Sequence, residues 1–198
     1  MTGPSRPRAG QRDRRPDEKV GPTVVSQPVP AVVALVGNPR PGSRTLAAAQ
    51  QVAARLGADV TTVDLATIGH ELFTAERTLL DPALRAVAAA RLLVVATPVY
   101  KASYTGLLKS FLDLYGPDGL AGVVAVPLVI SGNPAHALVG EVHLRPLLVE
   151  LGATVPTRSL AVTEAELVDL DPAIDRWLVR ADEPLHRALA DSLDGARR

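Results

Sequence analysis

The chain has 198 residues, enough for one α/β domain with a sizeable core. Apolar residues make up 47% and aromatic residues only 3%, so the core must be aliphatic, built from Val, Leu and Ala. Lys plus Arg and Asp plus Glu number 21 each, which gives no electrostatic case for nucleic acid or an anionic membrane; the lack of Cys excludes disulfides, thiol chemistry, iron–sulfur clusters and Cys-ligated zinc.

Residues 1–29 are rich in Arg and Pro and carry almost no apolar periodicity. Such a segment cannot bury enough surface to offset its ordering entropy and is expected to be a disordered tail. It has a basic start but no apolar stretch behind it, so it does not read as a secretion signal. No apolar run in the chain reaches transmembrane length, and a cytoplasmic protein is expected. The folded domain is expected to span residues 30–198.

From there apolar runs alternate with helical patterns. Residues 31–36 read as strand one, and Ser43 to Leu56 as an Ala-rich helix ended by Gly57 at the C′ position. Residues 59–65 are rich in β-branched side chains and read as strand two. Residues 66–80 look irregular. Asp81-Pro82 reads as an N-cap and first position for helix two, running to about Ala90. Residues 92–96 form strand three, 103–114 helix three and 122–130 strand four. Residues 135–151 read as helix four, with Pro146 kinking it from inside. Residues 154–161 form strand five and 172–191 a final amphipathic helix.

Five apolar strands separated by helices imply a parallel sheet covered on both faces, joined by right-handed crossovers. The expected architecture is a flavodoxin-like three-layer sandwich with strand order 2-1-3-4-5. Ligands of such sheets bind at the switch point beyond the carboxyl ends of the strands, and flavodoxin with FMN is the standard example of the rule.

The loop after strand one, G-N-P-R-P-G-S-R-T (37–45), joins a buried strand to a helix N-terminus, the geometry that holds a phosphate. Gly37 and Gly42 have Walker A spacing, but Ser43-Arg44 replaces Lys-Ser/Thr, and Pro39 breaks a dinucleotide fingerprint. What remains suits one terminal phosphate: the Ser43 and Thr45 hydroxyls, the Arg40 and Arg44 guanidiniums, and backbone amides. That suggests FMN. The same residues also suit an ordinary N-cap serine in a βα turn, and the loop alone does not separate the two readings.

With the segment T-P-V-Y-K-A-S-Y-T-G-L-L-K-S-F-L-D (97–113), the loop resembles the two signatures of the NADPH-dependent FMN reductases, in order and at the right spacing. Ala135-His136 and Leu144-Arg145-Pro146 are similar to the alkanesulfonate-assimilation type within that family. The resemblance covers about residues 31–165. It implies electron transfer from NADPH to FMN, with reduced FMN leaving to feed a partner monooxygenase. It also implies that Arg40, Ser43 and Thr45 hold the phosphate, that Pro98, Val99, Tyr100 and Lys101 line the ring, and that Ser131, Gly132 and Asn133 contact its far edge. Asn38 stands where the family usually has Ser, and keeps a donor and an acceptor for the same site. The stretch 140–143 lacks a tyrosine that some sulfonate-type members carry there.

Hydride transfer is the cofactor's chemistry, so no catalytic acid or base is assigned. Four scattered His without carboxylates at ligand spacing make no metal site. No G-x-S-x-G elbow supports a hydrolase. A tightly bound flavin acting on quinones, azo compounds or metal oxyanions is the alternative; an electron carrier is disfavoured by the neutral charge balance. Helix three carries Tyr104, Leu107, Leu108, Phe111, Leu112 and Tyr115, more apolar width than one core-facing stripe needs, and is expected to pair subunits of a homodimer or homotetramer.

Overall fold

The computed structural model describes residues 32–195, together with Met1 and Gly3. The expected tail of residues 1–29 lies outside the described residues apart from those two positions, as does residue 31. Five parallel strands, β1 (Val32–Val36), β2 (Val60–Asp64), β3 (Leu92–Pro98), β4 (Val124–Ser131) and β5 (Leu160–Thr163), form one sheet in the order β2-β1-β3-β4-β5. Val32 pairs with both Val60 and Leu92, and Leu92 with Val124, so the three central strands start level; β5 joins only at Leu128. This is the flavodoxin-like order expected from the sequence.

The central strands are buried along almost their whole length, which is why they read as continuous apolar runs rather than as alternations. Alternate residues still separate two cores. Val33, Leu35, Leu93 and Val95 pack against one helical layer, and Val32, Ala34, Val36, Leu92, Val94 and Ala96 against the other. The second layer holds α1 (Arg44–Leu56), whose Ala48, Ala49 and Ala53 let the helix lie close to the sheet, and α6 (Asp171–Gly195). The first holds α2 (Leu65–Ile68), a 3₁₀ turn (Gly69–Phe73), α3 (Leu80–Ala88), α4 (Gly106–Leu112) and α5 (Arg145–Glu150). No helix among the described residues is long and apolar enough to cross a membrane.

Several boundaries differ from the sequence expectation, each for a local reason. Asp81 does not cap α3. The Glu71 carboxylate, only 3% exposed, accepts from the amides of Leu79 and Leu80 at 2.9 and 2.8 Å, so the helix starts two residues early, with Asp81 inside its first turn. Gly57 caps α1 in extended backbone (φ −176°), not in the left-handed form expected at C′. The α4 helix begins at Gly106 because Thr105 is its N-cap, accepting from the amide of Leu108. The final helix runs past the expected end to Gly195, with Pro184 inside it.

The exposed apolar face expected on helix three is corrected. Leu108, Phe111 and Leu112 are fully buried in the core, and Tyr104, Leu107 and Tyr115 pack partly buried against it. The apolar width is used inside the layer: besides the core cluster, α4 meets α2 and the 3₁₀ turn. A charge at position 111 would unfold the core rather than dissociate an assembly.

The largest departure is in helix four. Residues 135–151 form three pieces: a 3₁₀ turn (Pro134–His136), a π-helix (Gly140–Leu144) and α5, with Pro146 in the first turn of α5 where its missing amide is harmless. A Cβ on Gly140 would lie 2.3 Å from Ser159 Oγ and 2.7 Å from Val129 Cγ2, so only glycine lets the π-helix approach this closely. From it Glu141 accepts from the Ser159 amide and hydroxyl at 2.6 and 2.9 Å and from Arg145 Nε at 2.9 Å; Arg145 in turn donates to the carbonyls of Val155 and Thr157. This clamp holds residues 155–159 off the sheet. Strand five therefore starts at Leu160, leaving Thr154 in an isolated bridge to Val124. At the other end of β5, Glu166 accepts from the Thr163 amide at 2.8 Å. The two carboxylates thus blunt the open sheet edge.

Burial works to raise the pKa of Glu141, but the Ser159 and Arg145 hydrogen bonds outweigh it and hold the carboxyl below its ordinary value. A depressed folded-state pKa stabilises the protein above the unfolded carboxyl pKa and loses that contribution as pH falls through the folded value. Glu141→Gln is expected to lower stability at pH 7 by about 1 kcal/mol, given partial solvent screening. In denaturant melts at a series of pH values the gap should close as pH falls below about 4; a gap independent of pH would contradict the clamp.

Candidate functional site

The carboxyl ends of β1, β3 and β4 open into a cavity of about 390 Å³, lined on one side by residues 40–45 of the β1–α1 loop. The loop's shape is set from within. Gly42 adopts φ +64°, which favours glycine, and turns the chain into α1. Asn38, 7% exposed, donates to Thr45 Oγ1 at 2.9 Å and accepts from the Arg40 amide at 3.0 Å. Ser43 is the N-cap of α1, its Oγ accepting from the Leu46 amide. Asn38 and Thr45 are therefore mainly scaffold, while the Ser43 hydroxyl keeps its proton to donate outward. The amides of Gly42, Ser43, Arg44 and Thr45 have no hydrogen-bond partner among the described residues. Four free N–H groups at the positive end of a 13-residue helix are a donor set for a phosphate.

The two arginines expected to share that role differ. Arg40 lines the cavity and makes no ion pair among the described residues. Arg44 is engaged: its Nη2 lies 2.8 Å from Glu164 Oε2 across the cavity.

Opposite the loop, Pro98, Tyr100, Ile130 and Leu167 form a largely apolar wall. Tyr100 is 42% exposed. Its amide donates to Ser103 O at 2.8 Å and the Ser103 amide donates back at 3.1 Å, closing a two-residue turn over Lys101 and Ala102. Both turn residues have positive φ, 51° and 60°, the geometry that Asn-Gly normally supplies. The backbone strain sits in the segment that shapes the cavity.

Of the twelve residues read from the sequence, Asn38, Arg40, Ser43, Arg44, Thr45, Pro98 and Tyr100 come together around this cavity. Val99, Lys101, Ser131, Gly132 and Asn133 do not line it. The Val99 amide is spent on Ile130 O, Ser131 Oγ donates to Asn133 O, and Asn133 caps the following 3₁₀ turn by accepting from the Ala135 amide. These residues lie at the end of β4 and in the loops that follow β3 and β4. His136 closes that turn half-exposed, and His143 is exposed on the π-helix. Sequence reading missed Ile130, Glu164 and Leu167. The same switch-point reasoning, extended to the residues after strand five, would have reached Glu164 and Leu167. A larger groove, about 810 Å³ between β5 and α6, includes none of the twelve and lies away from the loops that follow β1, β3 and β4.

Fold and site together define a flavodoxin-like α/β protein with a loop of free amides lining a cavity at its switch point. A family model for NADPH-dependent FMN reductases matches residues 30–166. The "NADH-dependent FMN reductase SfnE" of Pseudomonas putida is 37% identical over 147 residues, spanning 70% of this chain and 79% of that protein. The "FMN reductase (NADPH)" of Escherichia coli strain K12 is 40% identical over a shorter segment, 39% of this chain and 40% of that one. Among solved structures, the apo form of the NADH:FMN oxidoreductase EMOB superposes with a TM-score of 0.63 at 32% identity, covering 76% of this chain and 89% of that one. The chain belongs to the NADPH-dependent FMN reductase family. It is an oxidoreductase whose activity is the reduction of FMN by NAD(P)H.

The strained turn gives a test of this geometry. Replacing Ala102 by Gly should relieve left-handed strain and raise stability by about 1 kcal/mol, read as a higher unfolding temperature. A lower one would show that the turn is held without strain.

Proposed function

We propose that residues 30–198 act as one FMN reductase domain in which the β1–α1 loop anchors the flavin phosphate and the wall of Pro98, Tyr100, Ile130 and Leu167 flanks the ring. The observation that carries this reading is the set of four amides, unpartnered among the described residues, beside an Arg40 guanidinium that makes no ion pair among them. The donors suit a terminal phosphate, and the wall suits a flat heterocycle. Val99, Lys101, Ser131, Gly132 and Asn133 keep their proposed place at the ring's edge through the loops that follow β3 and β4.

When bound, FMN supplies the chemistry by accepting a hydride from NAD(P)H. The chain's part is positional. Arg40, the Ser43 hydroxyl and the loop amides fix the phosphate end, and the rigid ends of β1 and β3 set the ring's distance from it. Among the described residues Tyr100 is the sole aromatic one lining the cavity, so none of them closes a second ring over the flavin. An open face supports entry of the nicotinamide and departure of reduced FMN to a partner monooxygenase in the cytoplasm. In steady-state kinetics a sequential pattern in free FMN would support this reading, and a ping-pong pattern would instead support a tightly bound flavin reducing quinones, azo compounds or metal oxyanions.

Arg40→Ala is expected to weaken FMN binding about 10- to 100-fold, the worth of one charge-assisted hydrogen bond. Riboflavin, which lacks the phosphate, should bind the variant as it binds the wild type. Equal loss for both flavins in fluorescence titration would remove the phosphate from this loop.

A homodimer or homotetramer is part of the same proposal. Its support is apolar surface on the helix-four segment, where Leu138, Val142 and Val149 are 66%, 60% and 53% exposed. Light scattering should find an assembly at micromolar concentration, and a monomer there would end this part of the reading.

A further inference from the structure

We infer that Glu164 limits how tightly the flavin phosphate is held, by competing with it for Arg44. The inference rests on the assignment of the β1–α1 loop to the FMN phosphate.

Arg44 is the first residue of α1, so its guanidinium starts beside the free amides of the loop. Its one side-chain partner is Glu164, at 2.8 Å, although the two are 120 residues apart in sequence. Glu164 directly follows β5, and its backbone is pinned there by the 2.9 Å bond from its amide to Ser131 O. Its carboxylate has no other hydrogen bond among the described residues. It therefore faces the cavity from a fixed base and is held only by the arginine.

The neighbouring glutamates make the contrast clear. Glu141 and Glu166 each accept from a backbone amide at an end of β5, and removing either leaves an amide without its partner. Glu164 satisfies no amide with its side chain. Its carboxylate bears on the charge of the cavity instead.

Among the described residues the charged ones lining the cavity are Arg40, Arg44 and Glu164, a single net positive charge facing a phosphate that carries close to two negative ones. A phosphate seated on the amides meets one of two arrangements. Arg44 stays with Glu164 and gives the phosphate little, or Arg44 turns to the phosphate and leaves a bare carboxylate facing it. Both weaken the grip relative to a cavity without the carboxylate. The pair is 65% and 52% exposed, so water screens it and breaking it is easy. Such a competitor suits a protein that must release its reduced flavin: it loosens the phosphate end without altering the wall around the ring.

The test is equilibrium and stopped-flow binding of FMN and riboflavin to the full-length protein. Glu164→Gln is expected to tighten FMN about three- to tenfold, mainly through slower dissociation, and to leave riboflavin unchanged. The gain should shrink at 1 M salt, where the Debye length is about 3 Å. Glu164→Ala should act in the same direction. Arg44→Ala should weaken FMN more in the Glu164→Gln background than in the wild type, because only there is the arginine free for the phosphate. FMN binding unchanged or weakened in both Glu164 variants, with Arg40→Ala still separating FMN from riboflavin, overturns the inference and leaves the phosphate assignment standing. If Arg40→Ala fails to separate the two flavins, the assignment falls and the inference with it.

Discussion

The structure depends on burying β1, β3 and β4 on both faces at once. A parallel strand covered by helices on each side can expose nothing polar along its length, and each return to the next strand must cross a full helical layer. Polar chemistry is thereby confined to the loops at the strand ends. At the carboxyl ends of β1, β3 and β4 those loops converge, and the start of α1 adds free amides to them. The cavity gathers polar groups that the sheet itself could not hold, the amides of residues 42–45 among them.

Aliphatic composition shapes the rest. With aromatic side chains so scarce, packing relies on Val and Leu on the strands and on Ala where a helix must come close, as α1 does through Ala48, Ala49 and Ala53. Close approach recurs at Gly140, where the π-helix presses on β4 and the start of β5. The same scarcity leaves a single tyrosine in the wall of the cavity among the described residues.

Glutamates carry much of the polar bookkeeping of the fold. Glu71 caps α3 from a neighbouring turn, and Glu141 and Glu166 cap the two ends of β5. In each case a long flexible carboxylate satisfies backbone amides that the regular hydrogen-bond ladders leave over. The depressed pKa of Glu166 has the same origin, with the Thr163 amide and hydroxyl as the main causes. Glu164 sits within this group but pairs with an arginine of the cavity, which separates it chemically from the other three.

The sequence by itself determined the five strands and the two signature loops, and pointed to the order through the commonest arrangement of such sheets. These follow from local patterns: continuous apolar runs, Gly and Pro between them, and a serine at the head of an Ala-rich helix. It located seven residues of the cavity because they lie in two short segments. It did not reveal the split of helix four, because a π-helix depends on the contacts of Gly140 and Arg145 with residues 129 and 155–159. Nor did it reveal the buried state of Phe111, since apolar width on a helix does not say how many neighbours share it. Glu71, Glu141 and Glu164 act on residues 8 to 120 positions away. Their partners are set by which strand ends and helix starts the folded sheet brings together, and only the tertiary structure decides that.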